Sequence, residues 1–326
     1  MTVRWGIVAT GGIAAAFAAD LRLLPDAAVV AVGSRRQETA DAFARELDVP
    51  RAFATYEELV TDDQVDAVYV STPHPGHHDA AMLAIEAGKA VLVEKPFTMD
   101  AAEAGRLVAA ARSHGVFLME AMWTRFLPHV VRLREILAAG SLGEVTTVTA
   151  EHGQWFAHDP QHRLFAPDLG GGALLDLGIY PVSFASMVLG TPNRVTAASD
   201  PAFTGVDATT SAVLQHDGGA QAVVTCSLRA AGVNAAAVTG TEARVEIDPV
   251  WYAPTTMRLV GPDGSVVETF DEPVAGSGHR FQAAEVGRCL AAGLLESDVM
   301  PLDETVAIMA TLDEVRRQVG LDYAAL

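Results

Sequence analysis

Apolar residues in the first 120 positions fall into short unbroken runs: Val3–Val8, Ala27–Val32, Val65–Val70, Ala90–Val93 and Val116–Met119. Runs without polar alternation suit strands buried on both faces of a parallel sheet. Between them, Ile13–Leu24, Gln37–Leu47, Tyr56–Val60, His77–Ala87 and Ala101–His114 carry helix-like spacing. The last follows Asp100, with Glu103 three residues on, which predicts a capped helix start. Strand–helix repetition on this scale predicts a doubly wound α/β domain.

The pattern changes after Trp123. A helix is predicted over Pro128–Ala139; then come Glu144–Gly153, a loop with Pro160, Pro167 and three glycines, and a second helix over Ala173–Leu189. Strand-like stretches then follow one another: Arg194–Ala198, Thr210–His216, Ala220–Arg229, Ala235–Gly240, Ala243–Ile247, Met257–Val260 and Val266–Phe270. Asp217-Gly218-Gly219 and Pro262-Asp263-Gly264 read as hairpin turns between them. Helices over Arg280–Leu295 and Glu304–Val319 close the chain. Consecutive strands flanked by helices predict an α+β domain with a large, mostly antiparallel sheet. The expected division is 1–122, a doubly wound parallel domain, and 123–326, a second domain.

The chain has 326 residues, of which 50% are apolar and 19% charged, enough to bury a substantial core. Asp and Glu outnumber Lys and Arg by 41 to 22, a formal charge of −19, which disfavours a nucleic-acid or anionic-membrane partner. Cys226 and Cys289 are too few for a disulfide framework and read as buried small hydrophobes in a reducing compartment. The opening residues already read as a strand, with no leader ahead of them, so a cytoplasmic protein is expected. Only two of the cations are lysines, Lys89 and Lys95.

Candidate chemistry sits where the predicted strands of the first half end. The first strand runs into Ala9-Thr10-Gly11-Gly12-Ile13-Ala14, a G-x-G-x-x-G/A turn whose first glycine is replaced by alanine. Gly11 lets the backbone approach a pyrophosphate lying on the following helix start. The second strand ends Gly33-Ser34-Arg35-Arg36, with no acid to accept from ribose hydroxyls. A hydroxyl followed by two guanidiniums suits a 2′-phosphate, so NADP is favoured, with NAD as the alternative. Next come Ser71-Thr72-Pro73-His74-Pro75-Gly76-His77 and Glu94-Lys95-Pro96, and in the second half Gly170-Gly171-Gly172-Ala173-Leu174-Leu175-Asp176-Leu177-Gly178-Ile179-Tyr180. The crowd of His74, His77 and His78 invites a metal reading, but no second ligand set accompanies it, so no metal is expected.

Together and in this order, these segments resemble the Gfo/Idh/MocA family of NAD(P)-dependent oxidoreductases, over essentially the whole chain. Arg4-Trp5-Gly6-Ile7-Val8, Met119-Glu120-Ala121-Met122-Trp123-Thr124-Arg125-Phe126 and the Tyr at 180 are most similar to the dimeric dihydrodiol dehydrogenases and NADP-dependent D-xylose 1-dehydrogenases. The resemblance implies an N-terminal Rossmann domain and a homodimer or higher homo-oligomer. It also implies a cofactor lined by Ala9, Gly11, Gly12, Ile13, Ser34, Arg35, Arg36, Thr72, Pro73, His77, Glu94 and Lys95. The implied reaction is hydride transfer between nicotinamide and a sugar or diol hydroxyl, with Tyr180 as acid/base, Lys95 lowering its pKa and Asp176 orienting a second hydroxyl. A phenol titrates too high to act unaided near neutrality, and a neighbouring ammonium favours the phenolate. Trp123, Arg125, Phe156 and Asp176 are the expected substrate contacts. Two alternatives remain open: a sugar–sugar oxidoreductase that keeps its nicotinamide bound, and a non-catalytic nucleotide sensor.

Overall fold

A computed structural model describes residues 2–326, which form two compact units. The first comprises residues up to Trp123 together with Ala275–Val306; the second comprises Thr124–Val274 and Ala307–Leu326.

In the first unit, β1 (Val3–Val8), β2 (Ala27–Gly33), β3 (Arg51–Phe53), β4 (Ala67–Val70), β5 (Ala90–Glu94) and β6 (Leu118–Ala121) form one parallel sheet in the order β3-β2-β1-β4-β5-β6. The helices that connect them are α1 (Gly12–Leu21), α2 (Gln37–Glu46), α3 (Tyr56–Val60), α4 (His77–Glu86) and α5 (Ala101–His114). The strand order reverses between β1 and β4, and open α/β sheets bind ligands above such a point. The unalternating runs are buried as expected: Ile7, Val8, Val68, Val70, Leu92 and Val93 are wholly inaccessible. Asp100 caps α5 by accepting from Glu103 N at 2.8 Å, and Gly115 ends it at φ +64°. β3 escaped the hydrophobic pattern because it is three half-buried residues long.

A single boundary at 122 does not describe the chain, because residues 275–306 return to the first unit. That segment carries α8 (Arg280–Ala291). The buried Asp20 carboxylate accepts from Ser277 N at 2.9 Å and Arg280 N at 3.3 Å, fixing the start of α8 against α1. Leu118 N, at the start of edge strand β6, donates to Leu295 O at 3.1 Å. Nothing in the periodicity of 275–306 signals which sheet it covers.

The second unit holds an eight-stranded sheet of β7 (Val145–Gly153), β8 (Arg194–Pro201), β9 (Asp207–Gln215), β10 (Gln221–Ser227), β11 (Ala236–Gly240), β12 (Arg244–Ile247), β13 (Met257–Val260) and β14 (Val266–Phe270). The order is β14-β13-β12-β11-β7-β10-β9-β8, antiparallel except for the β7–β10 pair. Alternation sends Val148, Ala150, Ala222, Val224, Ala212, Leu214 and Val238 inward. Helix α7 (Ile179–Leu189) packs on β7, and α6 (Pro128–Ala138) precedes the sheet in the chain. The division between units falls inside α9 (Leu302–Val319). Pro167–Leu189 is apolar and long enough to cross a membrane by composition, but 83% of its apolar window is buried within the protein.

Candidate active site

At the nucleotide end of the first unit, Gly11 is the N-cap of α1, and among the described residues no side chain caps that helix start. Ala15 N takes the first intrahelical bond, to Gly11 O at 3.1 Å, leaving the N–H groups of Gly12, Ile13 and Ala14 available as donors to an anion. A Cβ at Gly11 or Gly12 would point into open space, so protein packing does not explain either glycine. Gly6 and Gly33 differ, since a Cβ there would meet Leu59 within about 3 Å. Ala9, at the first fingerprint position, sits at φ +83°, a conformation glycine adopts without strain and alanine does not. The turn has thus kept the shape the fingerprint needs while losing the residue that suits it.

Ser34 is buried at the end of β2, its hydroxyl 2.6 Å from Thr39 Oγ1. Arg35 and Arg36 are exposed, and neither forms an ion pair among the described residues. This acid-free strand end fits a nicotinamide dinucleotide carrying an extra phosphate.

Two loops at the C-terminal ends of β4 and β5 are tied by His77. Its Nδ1 lies 2.8 Å from Pro96 O and its Nε2 2.8 Å from Thr72 O. Burial, then His74 and Lys95, push its pKa down to about 3, against the two carbonyls, which favour the protonated ring. Both ring nitrogens face backbone carbonyls, and the neutral ring donates to one of them, so His77 sits as a brace between the two loops. Among the described residues no group of three or more His, Cys, Asp or Glu is placed to hold a metal. Glu94 is buried, its carboxylate accepting from the Tyr69 hydroxyl and, at 3.1 Å, from Lys95 N. That engagement makes Glu94 a support of the loop bearing the half-buried Lys95. Trp123, which follows β6, stacks on His279 with centroids 4.5 Å apart.

In the second unit, Asp176 and Tyr180 lie on a helix that opens with a π turn, Leu174–Gly178, before α7. Gly178, at the end of that turn, lets the helix approach β10 closely, since a Cβ there would lie 2.9 Å from Cys226 Sγ. The four-residue spacing still leaves both side chains on one face, and both are buried. Arg163 forks onto Asp176, at 3.0 and 3.1 Å. Arg125 is buried and donates to Ser183 Oγ at 3.1 Å and Ser183 O at 2.8 Å, so it braces the helix one turn beyond Tyr180. Phe156 is half-buried beside His162, with centroids 5.4 Å apart.

Several residues near Tyr180 were not legible as site residues. His152 on β7 packs edge-on to Tyr180 at 5.0 Å and stacks on Tyr252 at 3.7 Å; Tyr252 in turn lies 5.5 Å from Tyr180. Gln154 Nε2 is 2.9 Å from His152 Nε2 and 3.3 Å from the Tyr252 hydroxyl. The one available signal was a histidine on the inward face of β7, in register with Val148 and Ala150. Asp207 on β9 accepts at Oδ2 from Leu174 N at 2.8 Å and Thr210 Oγ1 at 2.7 Å, capping the helix that carries Tyr180. Tyr323 near the C-terminus donates to Gly171 O at 2.6 Å.

Residues 3–122 match the model of an oxidoreductase family with an NAD-binding Rossmann fold, and residues 130–246 match the GFO/IDH/MocA C-terminal domain. The chain is 42% identical to the trans-1,2-dihydrobenzene-1,2-diol dehydrogenase of Bos taurus, covering 99% of this chain and 98% of the bovine one. It is 41% identical to the enzyme of the same name from Homo sapiens, with the same coverage. Among solved structures it is similar to an aldose–aldose oxidoreductase from Caulobacter crescentus complexed with glycerol (TM-score 0.89, 25% identity, 98% of both chains). It is also similar to KijD10, a 3-ketoreductase from Actinomadura kijaniata in complex with NADP (TM-score 0.85, 27% identity, 98% of both chains).

Proposed function

The chain belongs to the Gfo/Idh/MocA oxidoreductase family, and from that premise we propose that it is an NADP-dependent dehydrogenase acting on a hydroxyl of a sugar or trans-dihydrodiol. The observation that carries the reading is the pairing of two features. One is an uncapped α1 start with open space at Gly11 and Gly12; the other is a buried Asp176–Tyr180 pair on one helix face. Bound NADP supplies the carbon that accepts hydride from the substrate or returns it.

In this reading the N–H groups of Gly12, Ile13 and Ala14 hold the pyrophosphate, and Arg35 and Arg36 hold the 2′-phosphate. Thr72, Pro73 and the His77 brace line the nicotinamide end. Tyr180 takes the proton from the substrate hydroxyl at its phenolic oxygen in oxidation and returns it in reduction. The role assigned to Lys95 is that of the cation favouring the phenolate, since an ammonium lowers the pKa of a phenol. Asp176 accepts from a second substrate hydroxyl; Arg163 orients that carboxylate. Phe156 contributes an apolar wall.

The decisive experiment is steady-state turnover of Tyr180→Phe with NADP and a panel of aldoses and diols. Turnover is expected to fall by about 10²–10⁴, with NADPH affinity unchanged in a fluorescence titration. A Tyr180→Phe enzyme as fast as the wild type removes Tyr180 from the proton-transfer role. A second reading, transfer between two sugars with nicotinamide retained, draws on the likeness to the aldose–aldose oxidoreductase. Cofactor absorbance co-eluting with the protein through gel filtration would favour it.

We also propose that the chain self-associates through the outer face of its second sheet. Ala237, Thr149, Val223, Val213 and Thr196 form one cross-strand row there, uncharged and with Val223 42% exposed. Light scattering reading a monomer at micromolar concentration would refute this.

A further inference from the structure

We propose that His152, Gln154 and Tyr252 form a specificity-determining array that recognises hydroxyls on carbons beside the reacting one. The preferred substrate is then a polyhydroxylated chain or ring, not a diol borne on a flat hydrocarbon. The inference rests on Tyr180 being the proton-transferring group.

Tyr180 lies against two aromatic neighbours, and both are polar-tipped. His152 stacks on Tyr252 with an interplanar angle of 22°, so the two rings form one slab beside the phenol. Gln154 links their polar ends. Its amide nitrogen donates to His152 Nε2, which puts the imidazole proton on Nδ1, and to the oxygen of Tyr252. The Tyr252 hydroxyl then keeps its own proton to donate. Burial pushes the Tyr252 pKa up, so that proton stays in place at neutral pH.

The array is held from behind. Thr124 Oγ1 donates to Tyr252 O at 2.8 Å, Trp251 Nε1 to Glu151 O at 2.8 Å, and His129 Nε2 lies 3.0 Å from Trp251 O. Asn234, at φ +57°, accepts from Gly153 N at 2.7 Å through its side chain, and its carbonyl accepts from Trp251 N at 3.1 Å. Val250, a β-branched residue at φ +58°, bears backbone strain immediately before Trp251 and Tyr252. Strain retained beside a hydrogen-bonded array marks a geometry that the surroundings over-determine. A substrate offering hydroxyls completes such an array. A hydrocarbon face offers the Tyr252 hydroxyl proton no acceptor, and sites built to hydrogen-bond a substrate hydroxyl reject the lacking analogue by about 10⁴–10⁵.

The test compares kcat/KM for D-aldopentoses and aldohexoses with that for a benzene trans-dihydrodiol, in wild type, Tyr252→Phe and Gln154→Leu. Wild type is expected to favour an aldose by at least about tenfold. Each variant should lose about 10–100-fold on the aldose, mostly in KM, and less than about twofold on the dihydrodiol. Tyr252→Phe keeps the ring stacked on His152, and thermal unfolding alongside checks that the fold is intact. Faster turnover of the dihydrodiol, turnover of no aldose in the panel, or equal losses on both substrates would overturn the proposal. The two readings fail separately. An active Tyr180→Phe enzyme removes the acid/base assignment, whereas an unchanged aldose-to-dihydrodiol ratio in Tyr252→Phe, with Tyr180→Phe inactive, removes the array alone.

Discussion

Ala9 shows how one residue can keep a backbone shape that its own side chain opposes. At φ +83° an alanine bears a left-handed cost of roughly 1–2 kcal/mol, partly offset by the extra freedom glycine has when unfolded. Ala9→Gly is therefore expected to raise the unfolding free energy by about 0.5–1 kcal/mol in urea titrations, and an unchanged or lower value contradicts the strain. Arg35 and Arg36 make a separate prediction. A charge-assisted bond to phosphate is worth about 1.5–3 kcal/mol, so Arg35→Ala should weaken NADPH binding by about 10–100-fold and leave NADH binding unchanged. Equal losses for both cofactors would assign Arg35 to the helix start alone.

Glycines with different jobs become distinguishable at the level of the element. Those of the α1 turn face open space, while those before α7 are demanded by neighbouring protein. A Cβ on Gly171 would press on the carbonyls of Arg163, Leu164 and Ala166, and one on Gly172, at φ +118°, would collide with Asp207. The loop is cinched between β9 and the C-terminal Tyr323 so that the next turns place Asp176 and Tyr180. Gly172→Ala combines a steric clash with a forbidden backbone, so a loss of at least about 2–3 kcal/mol is expected, together with a kcat defect and intact NADPH binding. Near-wild-type stability and turnover would show that the turn does not set the helix. The π turn belongs to this level too, since it has no counterpart in the local sequence pattern.

For the molecule as a whole, acid sensitivity follows from buried titrating groups. Burial pushes His77 down to about 3 and His279 to about 4, whereas histidines in the unfolded chain titrate near 6.5. Below that value the unfolded chain binds protons the folded chain refuses. The stability these histidines contribute is therefore complete above pH 6.5 and is lost as pH falls toward 4 and then 3. Asp207 acts oppositely: burial raises it from 3.8 to about 6, so its contribution is present below the unfolded value and is lost as pH rises through 6. His129 and His216 are also held below 6.5 by burial, so four buried histidines outweigh one carboxyl and stability falls on acidifying from 6 to 4. Urea midpoints measured across that range test this, and a flat or rising trend on acidification would contradict it.

The linear order of residues determined the doubly wound half nearly strand by strand, because strands buried on both faces must be written as unbroken apolar runs. It also carried the nucleotide turn, the acid-free end of β2 and the Asp176–Tyr180 spacing, all of which depend on residues a few positions apart. What only the tertiary structure decided lies at long separation in the chain. The return of residues 275–306 to the first unit is one case, and the brace from His77 to Pro96 and Thr72 is another. The Asp207 cap on the Tyr180 helix and the meeting of His152, Gln154 and Tyr252 complete the set. Local pattern records which face of an element is apolar. Which distant polar group meets that element is set by sheet register and packing, and only the folded chain holds that information.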